Sequence, residues 1–304
     1  MGDETPLPQS AIQRIQSLLT RKEAGRTATL STSWHIAWLT RLHVDLDESD
    51  FGYRPAIDKF SVFAKKTVQR YEDSNLKIES FRLRMDYSER YKWDDNFIGL
   101  AYELIVKALR LGATRLDLQL TGYFIHDLVL DQRVRCSKLE SLTLNDVMIK
   151  RHMFSCIVSA CPLIKKLSLC NIKCLGQVCD YLIDFHKLTS LKLQNVPLDL
   201  AFLDDLSFIF PDLKDLSLEL CKFGDKIQIC SHSLERLELL TEDREKPTIV
   251  LDAPRIRKFT FKCLDIPSVV FKSDSKELDK TRVSIACYCF THWWFLDVSK
   301  LLTE

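Results

Sequence analysis

Cysteine side chains are the first candidates for chemistry in this chain, because thiolates bind metals and act as nucleophiles. The chain has 11 cysteines, and two groups are close enough in sequence to share a metal: Cys161, Cys170, Cys174 and Cys179, and Cys287 with Cys289. No pair has the Cys-x-x-Cys spacing that opens a structural zinc site. We therefore predict reduced thiols that fill apolar space, and no metal site.

Carboxylates and histidines are the second candidates for chemistry. One acidic cluster lies shortly after residue 40 and consists of Asp45, Asp47, Glu48 and Asp50. It lacks the glycine turn of a calcium-binding loop, so we expect no calcium there. The histidines His126, His152 and His292 are isolated, and the sequence has no GxSxG, P-loop, HExxH or GxGxxG motif. We therefore predict no catalytic residue, no cofactor and no enzymatic activity of the chain's own.

The composition excludes several classes of protein. The chain has 304 residues, 46% of them apolar, a formal net charge of +1, and 47 leucines against 8 glycines. The apolar share can fill a core, and the near-zero charge gives no general attraction to nucleic acids or acidic membranes. No apolar run is long enough to span a membrane, and the acidic N-terminus is not a secretion signal. We expect a cytoplasmic and/or nuclear protein with no nucleic-acid or membrane partner.

Many of the leucines belong to one recurring unit of the form LxxLxL, in which some positions hold other apolar residues. Clear copies begin at Leu139, Ile164, Leu188, Leu213, Leu234 and Ile256, which are 25, 24, 25, 21 and 22 residues apart. Looser copies begin at Arg41, Ile78 and Ala113, and a final copy near Lys280 contributes Val283 and Ile285. This period is typical of leucine-rich repeats.

The repeat predicts an α/β fold. Alternating Leu-x-Leu forms a strand with one buried face, and a unit that cannot close its own core must stack on its neighbours. We therefore expect an irregular solenoid with a curved parallel sheet, and helices and loops on its convex side. Residues 60–68 and 97–111 have helical patterns, whereas the later return at residues 200–210 is shorter.

Three short helices are predicted before the first repeat. Ile12, Ile15 and Leu18 recur at helical spacing after Pro8. A second helical run covers about residues 22–30, and Ser31 or Ser33 can cap a third helix that contains Trp34 and Trp38. Three helices in about 35 residues cannot bury their apolar faces alone, so this segment needs a partner or the following domain to cover it.

These helices resemble the F-box of plant F-box/leucine-rich-repeat proteins of the FBD type. The residues that carry the resemblance are Leu7-Pro8, Ile12, Ile15, Leu18, Lys22-Glu23-Ala24, Thr27, Leu30-Ser31, Trp34 and Trp38. Thr20-Arg21 replaces a usual proline, and Thr32-Ser33 replaces a usual basic residue. The resemblance implies an F-box at residues 5–41 and a leucine-rich-repeat domain at 42–304 with about nine or ten irregular repeats. The chain stops at Glu304, so we expect the complete C-terminal FBD domain to be absent.

The resemblance also implies function. It assigns docking on the Skp-type adaptor of a cullin-based ubiquitin ligase to Leu7, Pro8, Ile12, Ile15, Leu18, Leu30 and Trp34, although some of these residues could instead only pack the helices together. An unknown target protein would bind the polar residues between the strand leucines, among them Thr143, Ser168, Lys192, Ser217, Glu238 and Thr260. The expected function is a substrate-recognition subunit. The alternative is a leucine-rich-repeat scaffold with a degenerate, non-docking F-box.

Two further features of the repeats are the residues at the loop position and the charge of the predicted binding face. Leucine-rich repeats often have Asn or Cys three residues after the last leucine, but here Val147, Ile172 and Val196 occupy those places. The charge of the predicted binding face changes from acidic at Glu219 to basic at Lys258 and Lys262. No feature marks a pocket for a small ligand, the third class of function that we considered.

Overall fold

The computed structural model is a mixed α/β protein with parallel strands, as the sequence predicts. It forms two compact units, Met1–Thr121 and Gly122–Glu304. The structure describes residues 7–52, 56–86, 95–121, 136, 138–149, 157, 159–174, 182–198, 201–241, 247–263, 268–272 and 282–287. His126, His152, Cys179, Cys289, His292 and the aromatic residues at 293–295 lie outside these ranges.

The first unit begins with three short helices, where the sequence predicts them. They are α1 (Gln9–Leu18), α2 (Arg21–Thr27) and α3 (Thr32–Leu39). Pro8 precedes the first helix, and Thr20 and Glu23 form a reciprocal capping box at the second. The Ser31 hydroxyl accepts the Trp34 N–H at the third. We call residues 7–39 the helical module.

Three strands and two longer helices complete the first unit. They are β1 (His43–Asp47), α4 (Ala56–Asp73), β2 (Ser80–Asp86), α5 (Asp95–Arg110) and β3 (Arg115–Thr121), with a 3₁₀ turn at Glu48–Phe51. The strands pair in parallel in the order β1-β2-β3. Their apolar side chains alternate inward, so that Leu46, Leu83 and Leu118 lie on adjacent strands in the core.

The second unit consists mainly of short strands. In chain order they are β4 (Ser141–Asn145), β5 (Met148–Ile149), β6 (Lys166–Cys170), β7 (Lys173–Cys174), β8 (Ser190–Gln194), β9 (Asp215–Glu219), β10 (Lys226–Cys230), β11 (Arg236–Leu240), β12 (Thr248–Asp252), β13 (Lys258–Cys263), β14 (Ser268–Phe271) and β15 (Arg282–Cys287). Two one-turn helices, α6 (Ala201–Asp204) and α7 (Leu206–Ile209), lie between β8 and β9.

One parallel sheet of the second unit contains the predicted leucine repeats. Its strand order is β4-β6-β8-β9-β11-β13-β15, and each pair is in register at the same repeat position. The leucines of each Leu-x-Leu are buried, for example Leu142 and Leu144 in β4. The alternation of the sequence therefore fixes which face of this sheet is core and which is polar.

A second parallel sheet corrects the expectation that helices and loops cover the other side of the repeats. Strands β10, β12 and β14 form this sheet, and β5 pairs with β7 in a smaller one. Ile227, Ile229, Ile249 and Leu251 are fully buried, and Gln228 between the first two is half-buried. The late repeat starts are only 21 and 22 residues apart, which leaves room for an extended return but not for a helix of several turns.

Corner residues follow the ends of β4, β6, β8 and β9. They have φ between 49° and 55° and are Asp146, Asn171, Asn195 and Leu220. The backbone N–H of each donates to the carbonyl of the last residue in the next strand of the sheet, at 2.8–3.0 Å. The residues after the corners, Val147, Ile172, Val196 and Cys221, are buried. Apolar side chains thus occupy three of the loop positions that hold Asn or Cys in more regular repeats, whereas Cys221 has the usual residue type at the fourth.

An amide ladder runs beside these corners. Asn171 Nδ2 donates to Asn145 Oδ1 at 3.3 Å, and Asn195 Nδ2 donates to Asn171 Oδ1 at 2.9 Å. Asn145 is the last residue of its strand, whereas Asn171 and Asn195 are corner residues, so the ladder is out of register at its first step. The shifted asparagines noted in the sequence therefore bond to one another.

No helix in the described part of the chain is both long and apolar enough to span a membrane.

Candidate protein-interaction surfaces

The helical module has a small interior. Ile12 is 2% exposed, and Ala24 and Ala37 are fully buried. Gln16 is also fully buried, and its Nε2 donates to Thr27 Oγ1 at 2.7 Å and to the Ala24 carbonyl at 3.3 Å. Because Ile12 faces this interior, it packs the three helices, and the adaptor contact implied for it stays a prediction.

The helical module exposes five large apolar side chains among its polar ones. Leu18 is 72% exposed and Leu30 is 65% exposed, and Leu7, Ile15 and Ile36 are exposed as well. Ile15 and Leu18 are three residues apart on α1 and therefore neighbours on one helix face. The Gln9 side chain reaches the Ser33 carbonyl at 3.4 Å, which joins the start of α1 to α3. We call Leu7, Ile15, Leu18, Leu30 and Ile36 the apolar surface.

The other predicted docking residues lie at the edge of this module. Pro8 is exposed at the start of α1, and Trp34 is half-buried in the first turn of α3. Ile36 is not among the predicted docking residues, because the spacing of Trp34 and Trp38 predicts that the opposite face of α3 is the functional one. A signal for it existed in the isolated isoleucine between Trp34 and Trp38.

Ion pairs attach the helical module to the rest of the first unit. Asp50 in the 3₁₀ turn pairs with Arg21, and its Oδ1 lies 2.7 Å from Lys22 Nζ. Burial alone would raise the pKa of the Asp50 carboxyl, but the hydrogen bonds and charges of Lys22 and Arg21 outweigh it and lower this pKa below its usual value. Asp50 is thus a structural partner of α2.

The cluster that contains Asp50 does not converge on a single site. Asp47 Oδ2 accepts from Arg84 at 3.0 Å, and Glu48 accepts the Asp86 N–H at 3.0 Å. Burial raises the pKa of the Glu48 carboxyl. Among the described residues no group of three or more His, Cys, Asp or Glu side chains could hold a metal ion.

Further contacts join α3 and its C-terminal end to α4. Tyr71 Oη donates to the Arg41 carbonyl at 2.7 Å, and Arg41 Nη2 donates to the Leu19 carbonyl at 2.8 Å. The Arg70 guanidinium lies 5.9 Å from the Trp38 ring centroid, within cation–π range. Trp38 therefore contributes to attachment within this unit.

The six predicted target-binding residues lie in one row across the sheet of the second unit. Register pairs connect them strand by strand, in the order Thr143, Ser168, Lys192, Ser217, Glu238 and Thr260. Five are half-buried, whereas Thr260 is 8% exposed. We call these six residues the central polar row. The structure brings together the residues that the repeat pattern placed on one face.

The charges beside the central polar row neutralise one another. Lys192 Nζ lies 2.6 Å from Glu219 Oε1, which also accepts from Ser217 Oγ at 3.2 Å. Lys262 Nζ lies 3.0 Å from Glu238 Oε1. A partner of this row would therefore meet hydroxyls and paired charges, which suit hydrogen bonding more than attraction of a strongly charged ligand.

Four cysteines of the second unit are buried, namely Cys136, Cys161, Cys170 and Cys221, whereas Cys230 is half-buried. A hydrogen bond with Cys136 and burial raise the pKa of the Cys161 thiol, and burial raises the pKa of Cys221. Cys221 Sγ also lies 3.8 Å from the Leu193 carbonyl oxygen, within range of a weak hydrogen bond. Protonated thiols are poor nucleophiles and poor metal ligands.

Curated proteins of Arabidopsis thaliana are similar to this chain. A putative F-box/FBD/LRR-repeat protein is 23% identical over 250 residues, which cover 71% of this chain and 51% of that protein. An FBD-associated F-box protein is 27% identical over 284 residues, covering 91% of this chain and 66% of its own length. A putative F-box protein is 26% identical over 202 residues, which cover 55% of this chain and 41% of that protein.

The chain thus spans between about two fifths and two thirds of the length of these relatives. No protein-family model matches it. The alignment with the FBD-associated F-box protein nevertheless covers 91% of the chain. The resemblance found in the sequence is confirmed: the chain is homologous to plant F-box proteins of the F-box/FBD/LRR-repeat type.

Proposed function

We propose that this chain is a substrate-recognition subunit of a Skp-cullin-F-box ubiquitin ligase. In this proposal the helical module is an F-box that docks on a Skp-type adaptor, and through it on a cullin. The repeats form an irregular leucine-rich-repeat solenoid that holds a target protein. The observation that carries the proposal is the apolar surface, which occurs in a chain homologous to F-box proteins.

Burial of the apolar surface would drive the docking. Covering a fully exposed leucine stabilises a complex by about 1.5–3 kcal/mol. Leu18 and Leu30 are 72% and 65% exposed, so most of that free energy is still available for binding. Ile15 and Leu18 are neighbours on one face of α1, and exposed apolar residues that lie together mark protein-interaction sites.

The central polar row would contact the target. Its residues lie on six neighbouring strands, and strands in a sheet are about 4.8 Å apart. The row is therefore long enough for an extended segment of another polypeptide. Hydroxyls and paired charges along it supply hydrogen bonds that depend on the partner's shape.

The mechanism is proximity. A receptor that binds the target and the ligase together raises the target's effective concentration at the ubiquitin-loaded enzyme. The chain itself then makes and breaks no covalent bond. Under this proposal it acts in the cytoplasm or the nucleus, where its thiols stay reduced.

Co-purification with plant Skp-type adaptors tests the docking. We expect the intact chain to retain an adaptor, and the double variants Leu18→Ser with Leu30→Ser, and Leu7→Ala with Trp34→Ala, to weaken binding by at least about tenfold. Leu163→Ser is the matched control, because Leu163 is an exposed leucine of the second unit. It should bind as the unchanged chain does.

Two results would contradict the proposal. If both double variants bind the adaptor like the unchanged chain, the docking residues are wrong. If the intact chain binds no adaptor paralogue, the scaffold with a non-docking F-box is the better description.

A further inference from the structure

Beside the central polar row, a second row of polar residues crosses the same sheet at the first position of each strand. The register pairs connect, in order, Ser141, Lys166, Ser190, Asp215, Arg236, Lys258 and Arg282. Up to Asp215 this row contains one cation and one carboxylate. Its last three positions, on β11, β13 and β15, are all cationic.

Neighbouring like charges in this row carry a cost. Adjacent strands are about 4.8 Å apart, and like charges directly opposite each other destabilise a sheet. Arg236 is compensated on one side by its ion pair with Asp215. Lys258 is exposed and forms no ion pair with any residue that the structure describes. Its register partner on β11 is Arg236, so an anion bound here would add a counter-charge that Lys258 lacks among the described residues.

Two described carboxylates on or beside β11 already have partners. Glu235 lies 3.4 Å from Lys214 Nζ and 3.7 Å from Arg257, and Glu238 holds Lys262. Residues 253–263 contain four cations and no carboxylate. Within the described ranges, Arg255 and Lys258 are the exposed cations of this stretch that lack a counter-charge.

We propose that the cationic end of this row, here Arg236 and Lys258 together with Arg255, binds an acidic segment of the target polypeptide. This inference rests on the target-binding part of the proposed function and names the class of target. Arginine and lysine form charge-assisted hydrogen bonds with carboxylates, and their long side chains can follow side chains spaced along an extended peptide.

A polypeptide fits this surface better than a nucleic acid. A phosphate backbone carries continuous charge and is bound by long runs of cations. Here Asp215, Glu219 and Glu238 interrupt the same face, and the chain's net charge is only +1. Acidic residues spaced along a peptide can bind the cationic end, while its neutral residues form hydrogen bonds with the central polar row.

Fluorescence anisotropy with the purified full chain tests the inference. One labelled probe is a peptide of alternating Glu and Ser, and the matched probe alternates Gln and Ser. We expect the acidic probe to bind and the neutral probe to bind at least about tenfold more weakly. Binding of the acidic probe should weaken further as salt screens the charges.

Two charge-reversal variants separate a local site from a general charge effect. Lys258→Glu should weaken binding of the acidic probe by about tenfold. Lys166→Glu makes the same change at the same strand position, but its register partners are Ser141 and Ser190. It should change the affinity by less than about twofold, and circular dichroism should show both variants folded.

Several outcomes would overturn the inference. These are equal losses in both variants, equal binding of the neutral probe, or a single-stranded oligonucleotide that binds more tightly and depends equally on Lys258. Adaptor co-purification distinguishes this failure from failure of the proposed function. A chain that retains the adaptor but ignores the acidic probe loses only the present inference, whereas one that binds the probe but no adaptor loses the ligase assignment.

Discussion

At the scale of the residue, the corners after the strands carry the clearest strain. Leu220 has a φ of 54°, whereas the equivalent positions in the three preceding repeats are Asp146, Asn171 and Asn195. Asparagine and aspartate tolerate the left-handed region, but other residues with a Cβ pay roughly 1–2 kcal/mol there. Leu220 is therefore a position where the fold imposes its conformation on an unfavourable side chain.

We expect Leu220→Asn to stabilise the chain by about 1 kcal/mol. The new side chain relieves the strain and can donate from Nδ2 to Asn195 Oδ1, which extends the amide ladder by one step. The measurement is the urea midpoint of unfolding. Asn195→Leu is the reverse control, and its free energy of unfolding should fall by a similar amount. A urea midpoint for Leu220→Asn at or below that of the unchanged chain would refute this account.

Thiol reactivity tests the burial of the cysteines. Cys161 and Cys221 have raised pKa values, the first through its hydrogen bond with Cys136 and burial, the second through burial. At pH 8 we expect iodoacetamide to modify both about tenfold more slowly than the half-buried Cys230. Mass spectrometry of tryptic peptides measures this, and urea should abolish the difference. Equal rates in the folded chain would show that these thiols are accessible.

At the scale of the element, the repeat pattern predicts the leucine strands well. The period-2 alternation fixes which side chains are buried, so it also predicts that Thr143 and Glu238 share the polar face. It did not predict β10, β12 and β14, although they begin 22 and 20 residues apart, because the alternations that contain Ile227 and Ile249 lack the first apolar residue of the LxxLxL unit. It also could not show ion pairs such as Lys192 with Glu219, which depend on diagonal contacts between strands.

The attachment of α2 to the 3₁₀ turn has a defined pH dependence. Asp50 has a lowered pKa in the folded chain, so its ion pairs with Arg21 and Lys22 add stability above the unfolded carboxyl pKa of about 3.9. That contribution is lost as the pH falls through the lower, folded pKa. We expect Asp50→Asn to destabilise the chain by about 1–2 kcal/mol at pH 7 and to have little effect at the acidic end of the folded range.

Urea unfolding at several pH values measures this difference. Asp184→Asn is the control, because Asp184 is exposed. It should change the midpoint little at any pH. If Asp50→Asn lowers the stability by the same amount at neutral and acidic pH, the charge of Asp50 does not attach α2 to the 3₁₀ turn.

At the scale of the whole molecule, a net charge of +1 conceals two surfaces of different character. The helical module presents uncharged leucines and isoleucines, whereas the second unit presents a polar face with a cationic end. Apolar burial is insensitive to screening, but exposed charges are screened within a Debye length of about 10 Å at 0.1 M salt. The two proposed binding activities should therefore respond differently to salt.

We expect adaptor affinity to change by less than about threefold between about 0.05 M and 0.5 M sodium chloride, while acidic-probe affinity falls by more than about tenfold. Isothermal titration calorimetry measures both, and adaptor binding should also show a negative heat-capacity change. Parallel losses of both affinities with salt would contradict the assignment of an apolar docking surface.

The corner hydrogen bonds give the second unit a direction. The N–H of Asp146, Asn171, Asn195 and Leu220 each donates forward, to a strand that comes later in the chain. A corner thus has its full set of hydrogen bonds only after the following repeat has been synthesised. On the ribosome, each newly emerged repeat would complete the one before it, and assembly in this unit would proceed from the N-terminal to the C-terminal end.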